Sequence, residues 1–363
     1  MSGNSIGKHF VLTCFGESHG RCVGVVVDGC LPGLSLSASD VQAEVDKRRP
    51  VSEVSTSRRE EDKVEILSGV FNGYTTGAPI CMLAWNREVE SDTYEEFRWK
   101  PRPGHADFPA SARYRGFNDY RGGGRFSGRI TVAFVMAGAV AKKLLQGIGV
   151  EVLAHTVEVA GIGLRKEPTL DDIKVNVYRN TMRCADPDAA KAMETAVLEA
   201  RSGGDSVGGV VECVALNLPV GVGEPIFDSL DADLAKALFD IPAVKGVEFG
   251  AGFGASRLRG SENNDQYALK GGQLVTLTNN AGGVLGGFSD GMPIVVRVGF
   301  KPTPSISKRQ QTVNLQKRAE ATLEVQGRHD VCVVPRAVPV VESMVAAVLV
   351  DHLLGLGLVK VGK

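Results

Sequence analysis

Between Arg98 and Arg129 the chain sets eight basic residues (Arg98, Lys100, Arg102, Arg113, Arg115, Arg121, Arg125 and Arg129) against two acids, Asp107 and Asp119. Guanidinium groups grip phosphate and carboxylate through paired N–H donors, so such a cluster suits a small polyanion. Near the end of the run Gly122, Gly123 and Gly124 precede Arg125, Ser127 and Gly128, and an apolar helical pattern opens at about Thr131. Backbone without side chains admits a ligand closely, and N–H groups at a helix start face an anion set before them. No Gly-Lys-Ser or Gly-Lys-Thr follows, so the pattern is not a nucleotide P-loop. Six aromatics from Trp99 to Phe126 share the run, and a merely solvated loop has no use for them.

Two histidines offer acid–base chemistry. His105 lies in PRPGHAD, where the prolines and glycine prescribe a loop, and neighbouring arginines lower its proton affinity. His19 lies in GESHG, between the β-branched runs Phe10 to Phe15 and Val23 to Val27. On that turn it is expected to be more exposed than a core histidine and able to donate a proton near neutral pH. GESHG also spells the nucleophile elbow of hydrolases, which needs a helix after it and an earlier strand for its oxyanion hole. Here a strand follows, so Ser18 is not expected to be labelled by a fluorophosphonate. Two late stretches add groups: KPTPSI, Lys301 to Ile306, is a stiff loop carrying an ammonium and Ser305, and GRHD sets Arg328 and His329 beside Asp330.

The elements that must position these groups are legible in outline. Ser37 or Ser39 caps a helix that runs to Arg49 and stops at Pro50, putting Arg48 and Arg49 where cations favour the dipole. Arg58 and Arg59, in a Ser/Thr-rich loop, are more available to a ligand. Val64 to Val70 and Ala78 to Ala84 read as a hairpin around GYTTG. Thr131 to Gln146 is a buried helix, ended by Gly147. Strands follow at 150–159, 207–216, 273–277 and 293–298, with helices at 187–200, 231–239 and about 340–354. GVFNGYTTGAPI from Gly69 and GVLGGFSDGMPI from Gly283 share their glycine spacing; GESHGRCVGVVVDGCLPG from Gly16 and GDSVGGVVECVALNLPVG from Gly204 echo with one gap. Two echoes in the same order predict duplicated halves with a site where they meet.

The totals narrow the class. The 363 residues carry 41 Lys and Arg against 42 Asp and Glu, which argues against a general nucleic-acid or membrane-surface binder and leaves a small local anion for the basic run. Seven cysteines without a Cys-x-x-Cys pair suit free thiols in the cytoplasm, with neither a disulfide frame nor a metal site. No window reaches the roughly 18 apolar residues of a membrane span.

The segments quoted above, together with RRP, TSRREEDKVEILSGVFNGYTTGAPI, DYRGGGRFSGR, AVKGVEFGAGF, NNAGGVLGG and GRHDVCVVPRAVPVVE, occur in an order that closely resembles the chorismate synthase family, over nearly the whole length. The resemblance implies an α/β fold, a β-α-β-α sandwich of two pseudo-duplicated halves (about 1–150 and 200–363) in one large domain, assembled as a homotetramer. It implies a carbon–oxygen lyase that removes phosphate from 5-enolpyruvylshikimate 3-phosphate by anti-1,4-elimination, giving chorismate for aromatic amino-acid synthesis. FMN is needed in its reduced form. By the same resemblance His19 is the acid toward the leaving phosphate or toward the flavin, and His105 protonates the flavin N1/C2 carbonyl region. Asp330 acts through flavin N5, and Ser18 and Ser127 are relay hydroxyls. Flavin contacts fall on Arg125, Phe126, Ser127, Ala243, Gly286, Lys301, Pro302, Thr303, Pro304, Ser305 and Arg328; Arg48, Arg49 and Arg129 meet substrate or NADPH.

Three departures from the family pattern stand out. After Pro50 the chain reads Val51-Ser52-Glu53-Val54, without the usual glycine and further arginine, so the reductant is either NADPH on this chain or a separate flavin reductase. Pro242 replaces a usual Asn, removing a side-chain amide and a backbone donor from the flavin wall. Phe126 stands where Ser is common.

Overall fold

The β-branched runs on either side of GESHG form antiparallel neighbours, as their alternating burial requires: Val23, Val25 and Val27 face the core. In the computed structural model, which describes residues 3–50, 61–87, 94–325 and 329–361, they belong to the first of two five-stranded antiparallel sheets. That sheet comprises β1 (Ser5–Ile6), β2 (Val11–Gly16), β3 (Cys22–Asp28), β4 (Val64–Ile66) and β5 (Ile80–Trp85), in the order β1-β2-β3-β5-β4. The second comprises β6 (Glu151–Val159), β7 (Ile162–Gly163), β8 (Gly209–Leu216), β9 (Val244–Phe249) and β10 (Ile294–Phe300), in the order β9-β10-β8-β6-β7.

The two sheets share one plan. In each, the four main strands taken in chain order lie side by side as first, second, fourth, third. A two-stranded hairpin precedes the fourth strand in both cases: Val70–Phe71 with Tyr74–Thr75, and Val284–Leu285 with Phe288–Ser289. Even single hydrogen bonds repeat. Thr75 Oγ1 donates to Leu31 O (2.6 Å) and accepts from Leu34 N–H (2.9 Å), while Ser289 Oγ donates to Pro219 O (2.5 Å) and accepts from Val222 N–H (2.8 Å). The second set of elements begins at β6, ahead of the second sequence echo, because an excursion holding the helix Pro187–Ser202 separates β6 from β8.

Helices fill the space between the sheets. Four of them matter here: α1 (Ala38–Lys47), α2 (Thr131–Gln146), α3 (Leu230–Phe239) and α4 (Val334–Gly355). Ser37 caps α1 through a reciprocal pair with Asp40, the capping-box arrangement. α2 packs against the first sheet and α4 against the second, and the two helices touch along their length. They pack tightly at Gly138, where an added Cβ would lie 2.1 Å from Ser343 Cβ.

α4 starts at Val334, six residues before the sequence pattern suggests, because Pro335 suits a first turn and Pro339 is carried within the helix. At 22 residues it is long and apolar enough to cross a membrane, contrary to the expectation that no such stretch exists. Its apolar window is 89% buried inside the fold, as a core helix would be. The Val64 to Ala84 hairpin is more elaborate than expected: β4 and β5 do pair, but the GYTTG turn itself carries a small strand.

Candidate active site

A wall without side chains runs through Gly122, Gly123 and Gly124, whose φ values of 58°, 80° and 54° disfavour any L side chain. What lies opposite explains it. A Cβ on Gly122 would fall 2.2 Å from His19 Cδ2 and 2.8 Å from Ser18 Oγ, one on Gly123 3.2 Å from His105 Nε2, and one on Gly124 2.0 Å from Asp119 O. The glycines therefore let both histidines and Ser18 pack directly on backbone, and Ser18 N–H donates to Gly124 O (3.2 Å). His19, expected to be exposed on its turn, is 5% exposed, because Gly122 admits it and the Tyr94 ring stands edge-on 4.9 Å away.

Beyond the glycines, Ser127 Oγ accepts Arg129 N–H (3.3 Å) and starts the short turn into α2. The mouth of that helix is filled by Arg48, whose Nε donates to Thr131 Oγ1 (2.8 Å) and whose Nη2 donates to Gly128 O (2.8 Å). Arg48, the residue that follows α1, has thus turned inward, whereas Arg49 stays at the surface on Asp46 (2.9 Å). Asp62 lies between Arg48 and Arg129 and is ion-paired to both. Arg336, from the first turn of α4, donates to Asp330 Oδ2 (2.6 Å) and to Arg48 O (3.3 Å). Three buried or half-buried guanidiniums thus face two carboxylates. Burial, with Arg336 and Arg129 as neighbours and Asp62 opposing, pushes Arg48 down to about 9, still protonated at neutral pH. The gathering of three guanidiniums among the described residues makes this end of the cavity receptive to an anion.

The other end is built by PRPGHAD and the loop after β10. Arg102 Nε and Nη2 grip both oxygens of Asp107 at 2.8 Å, and Nη1 reaches Ser305 Oγ at 3.2 Å. His105 Nδ1 lies 2.6 Å from Asp107 Oδ1. Burial, then Arg102 and Lys301, lower the proton affinity of His105 below its ordinary 6.5, with Asp107 opposing. Lys301 donates through Nζ to Gly104 O (2.6 Å) and through its backbone to Ala243 O (2.9 Å). Its ammonium is itself pushed down by burial and by Lys245. Thr303 Oγ1 donates to Asp330 O (2.7 Å), tying this loop to the GRHD segment.

These groups enclose one cavity of about 550 Å³, lined among others by Ser18, His105, Arg125, Ser127, Lys301 and Asp330. Phe126, Ala243, Thr303, Pro304, Ser305, Arg48 and Arg129 also line it, and His19 packs against the lining residue Gly122. Gly286, Pro302 and Arg49 do not line it; Gly286 sits on the second small hairpin, with nothing within 4 Å of an added Cβ. Arg58, Arg59, Arg328 and Val51 to Val54 lie outside the described residues. Most aromatics of the basic run do not line the cavity. Phe117 is 92% exposed, and Phe108 and Tyr114 are about half exposed, leaving Phe126, with Tyr94 and Phe239 from elsewhere, at the lining.

Residues 10–354 match the family model of chorismate synthase. The chorismate synthase of Dehalococcoides mccartyi strain BAV1 is 57% identical over 357 residues, covering 98% of each chain, and that of Methanocella arvoryzae is 56% identical over 360 residues, covering 99% of this chain and 96% of its own. A crystal structure of a chorismate synthase superposes with a TM-score of 0.76 at 28% identity, over 96% of this chain and 93% of that one. The chain belongs to the chorismate synthase family. It is an enzyme, a lyase of chorismate and aromatic amino-acid biosynthesis.

Several residues of this candidate site escaped the sequence reading. Asp62 and Arg336 are brought in by tertiary packing alone, and no local pattern marks them. Arg102 and Asp107 carried a signal: a base three positions before His105 and an acid two positions after it, in a loop stiffened by prolines.

Proposed function

We propose that this chorismate synthase removes phosphate from 5-enolpyruvylshikimate 3-phosphate by anti-1,4-elimination, with reduced FMN held in the same cavity. The observation that carries the reading is that one cavity brings together His105, Asp330 and the guanidiniums of Arg48, Arg129 and Arg336, beside a glycine wall on whose Gly122 His19 packs. The substrate class, a phosphate and two carboxylates on a small ring, demands such cations to offset the cost of leaving water.

The residues suit a flavin. The volume lies within the usual range of a cofactor site, Phe126, Pro242, Ala243 and Pro304 give it apolar walls, and Lys245, Lys301 and Arg125 can meet a phosphate. Arg125 is steadied by Gly16 O (3.2 Å) and Asn4 Oδ1 (2.7 Å). When bound, reduced FMN supplies electron density to the allylic C–O bond as phosphate departs.

The protein's own residues do the rest. Arg48 and Arg129, held in place by Asp62 and Thr131, take the anionic groups and stabilise charge as it develops on the leaving phosphate. His19 and Ser18, pressed on Gly122, provide a proton on that side, and His105 with Ser127 provides one toward the flavin. Asp330, fixed by Arg336, is the carboxylate that accepts the ring proton released by the elimination. The assembly is a homotetramer in the cytoplasm, a reading supported by the family and by seven free thiols.

Anaerobic enzyme with dithionite-reduced FMN should release phosphate from the substrate, and oxidised FMN should not support turnover. NADPH in place of dithionite, with and without an added flavin reductase, separates a self-reducing enzyme from one that depends on a partner. His105→Ala and Asp330→Ala should lower turnover far more than flavin affinity; equal losses would make both mere binding residues.

A further inference from the structure

We propose that Asp107 is a positioning residue that holds His105 as the Nδ1–H tautomer, so that Nε2 is the atom that exchanges protons with the cavity. The proposal deepens the reading of His105 given above and rests on it for its functional half only.

The geometry leaves the ring little choice. Asp107 Oδ1 is 2.6 Å from His105 Nδ1, and an ionised carboxylate can only accept, so the hydrogen sits on Nδ1. Burial alone would raise the Asp107 proton affinity, but N–H donors from Arg102 and His105 reverse this and hold it far below the ordinary carboxylate range. The carboxylate is saturated with donors: Arg102 Nε (2.8 Å) and backbone N (3.0 Å) on Oδ2, and Arg102 Nη2 (2.8 Å) with His105 Nδ1 on Oδ1. The same Nη2 lies 3.3 Å from Nε2 and 3.1 Å from Nδ1, and with Nδ1 already protonated only Nε2 has a lone pair to turn to a donor. Nε2 is on the ring edge that faces Gly123.

The arrangement serves both protonation states. With His105 neutral, Nε2 is the available acceptor. Once it takes a proton the ring is an imidazolium, and Asp107 stabilises that charge while the second N–H lies on the ring edge beside Gly123. The nearby charges are Arg102 and Lys301, which oppose protonation, and Asp107, which favours it.

Asp107→Asn discriminates this from simple support of the loop. The amide oxygen is favoured at the Oδ2 position, because two fixed donors from Arg102 converge there, against one at Oδ1, whose other donor is the His105 ring that can exchange tautomers. The NH₂ group then takes the Oδ1 position and donates to Nδ1, which forces the ring into the Nε2–H tautomer. A neutral ring with its proton on Nε2 cannot accept there, and it gives that proton up only by becoming an imidazolate.

The test is nitrogen NMR of the full chain labelled with ¹⁵N-histidine, with the His105 signals among the six histidines assigned by comparison with His105→Gln. Wild type should show a protonated Nδ1 and a bare Nε2, and Asp107→Asn the reverse. In parallel, kcat should fall by about 10²–10⁴-fold in Asp107→Asn, as expected for a tautomer-fixing carboxylate, while the substrate KM and flavin affinity change little. A protonated Nε2 with bare Nδ1 in wild type overturns the proposal, and this arm needs no variant to fold. So does an unchanged tautomer in Asp107→Asn, a flipped tautomer with undiminished kcat, or parallel losses in kcat and flavin affinity. Failure of wild type to turn over with reduced FMN would instead overturn the reaction assigned above and leave the tautomer result standing.

Discussion

Gly122→Ala tests the glycine wall most directly. The substitution adds one methyl group, which meets His19 Cδ2 at 2.2 Å and Nε2 at 2.5 Å, whereas ordinary contact begins at 3.4 Å. The imidazole must therefore retreat by about 1 Å. Two costs follow. An alanine at φ 58° carries about 1–2 kcal/mol of backbone strain, and forcing a methyl into a filled site adds about 1–3 kcal/mol. Their sum is a fraction of the roughly 5–15 kcal/mol that holds a domain folded, so the variant should fold. Its catalysis should not survive intact, since a displacement of this size costs on the order of 100-fold in rate. Gly149→Ala isolates the strain: its φ is 77° and an added Cβ there meets nothing within 4 Å. Denaturant titration should find Gly122→Ala less stable than Gly149→Ala by about 1–3 kcal/mol, and phosphate release should fall only in the former. Equal stabilities together with full activity in Gly122→Ala would refute the claim that these glycines are there to admit His19.

Asp62→Ala should destabilise the fold by about 3–5 kcal/mol, because it removes the buried carboxylate set between the cations of Arg48 and Arg129, and calorimetry would register the lowered Tm. His105 favours its neutral form in the fold, so below about pH 6.5 the unfolded chain takes up the proton first and stability declines as pH falls. That decline should be shallower in His105→Gln, as urea midpoints between pH 7 and 5 would reveal. Gly138→Ala should cost about 1–3 kcal/mol or more, since α2 and α4 would have to separate at Ser343, and urea titration would detect it without any change in flavin affinity.

Local pattern sufficed wherever local physics decides. α2 runs over Thr131–Gln146 as its apolar periodicity and Gly147 require, and Ser37 caps α1. The duplicated plan was legible in two glycine spacings, because the same tight hairpins need glycine at the same positions in both halves. What escaped depends on residues far apart in the chain. His19 looked like an exposed turn residue, and only Gly122, more than a hundred positions later, buries it. Arg336, in the first turn of α4, holds Asp330 through an ion pair that no local pattern in the GRHD segment announces. The aromatics of the basic run argued for a ligand site, but Phe108, in the helix Asp107–Arg113, and Phe117, in the segment after it, are exposed to solvent.

The run Gly122–Gly124 also limits how this cavity can be remodelled. At three successive positions any new side chain would collide with a histidine, a serine or the chain itself, so that wall has no freedom to drift. Variants with altered cofactor or substrate preference must arise elsewhere in the lining, from Pro242 to Lys245 and at Phe126. Directed evolution aimed there leaves the acid–base groups undisturbed, whereas libraries spread evenly over the lining would spend much of their diversity on positions that accept only glycine.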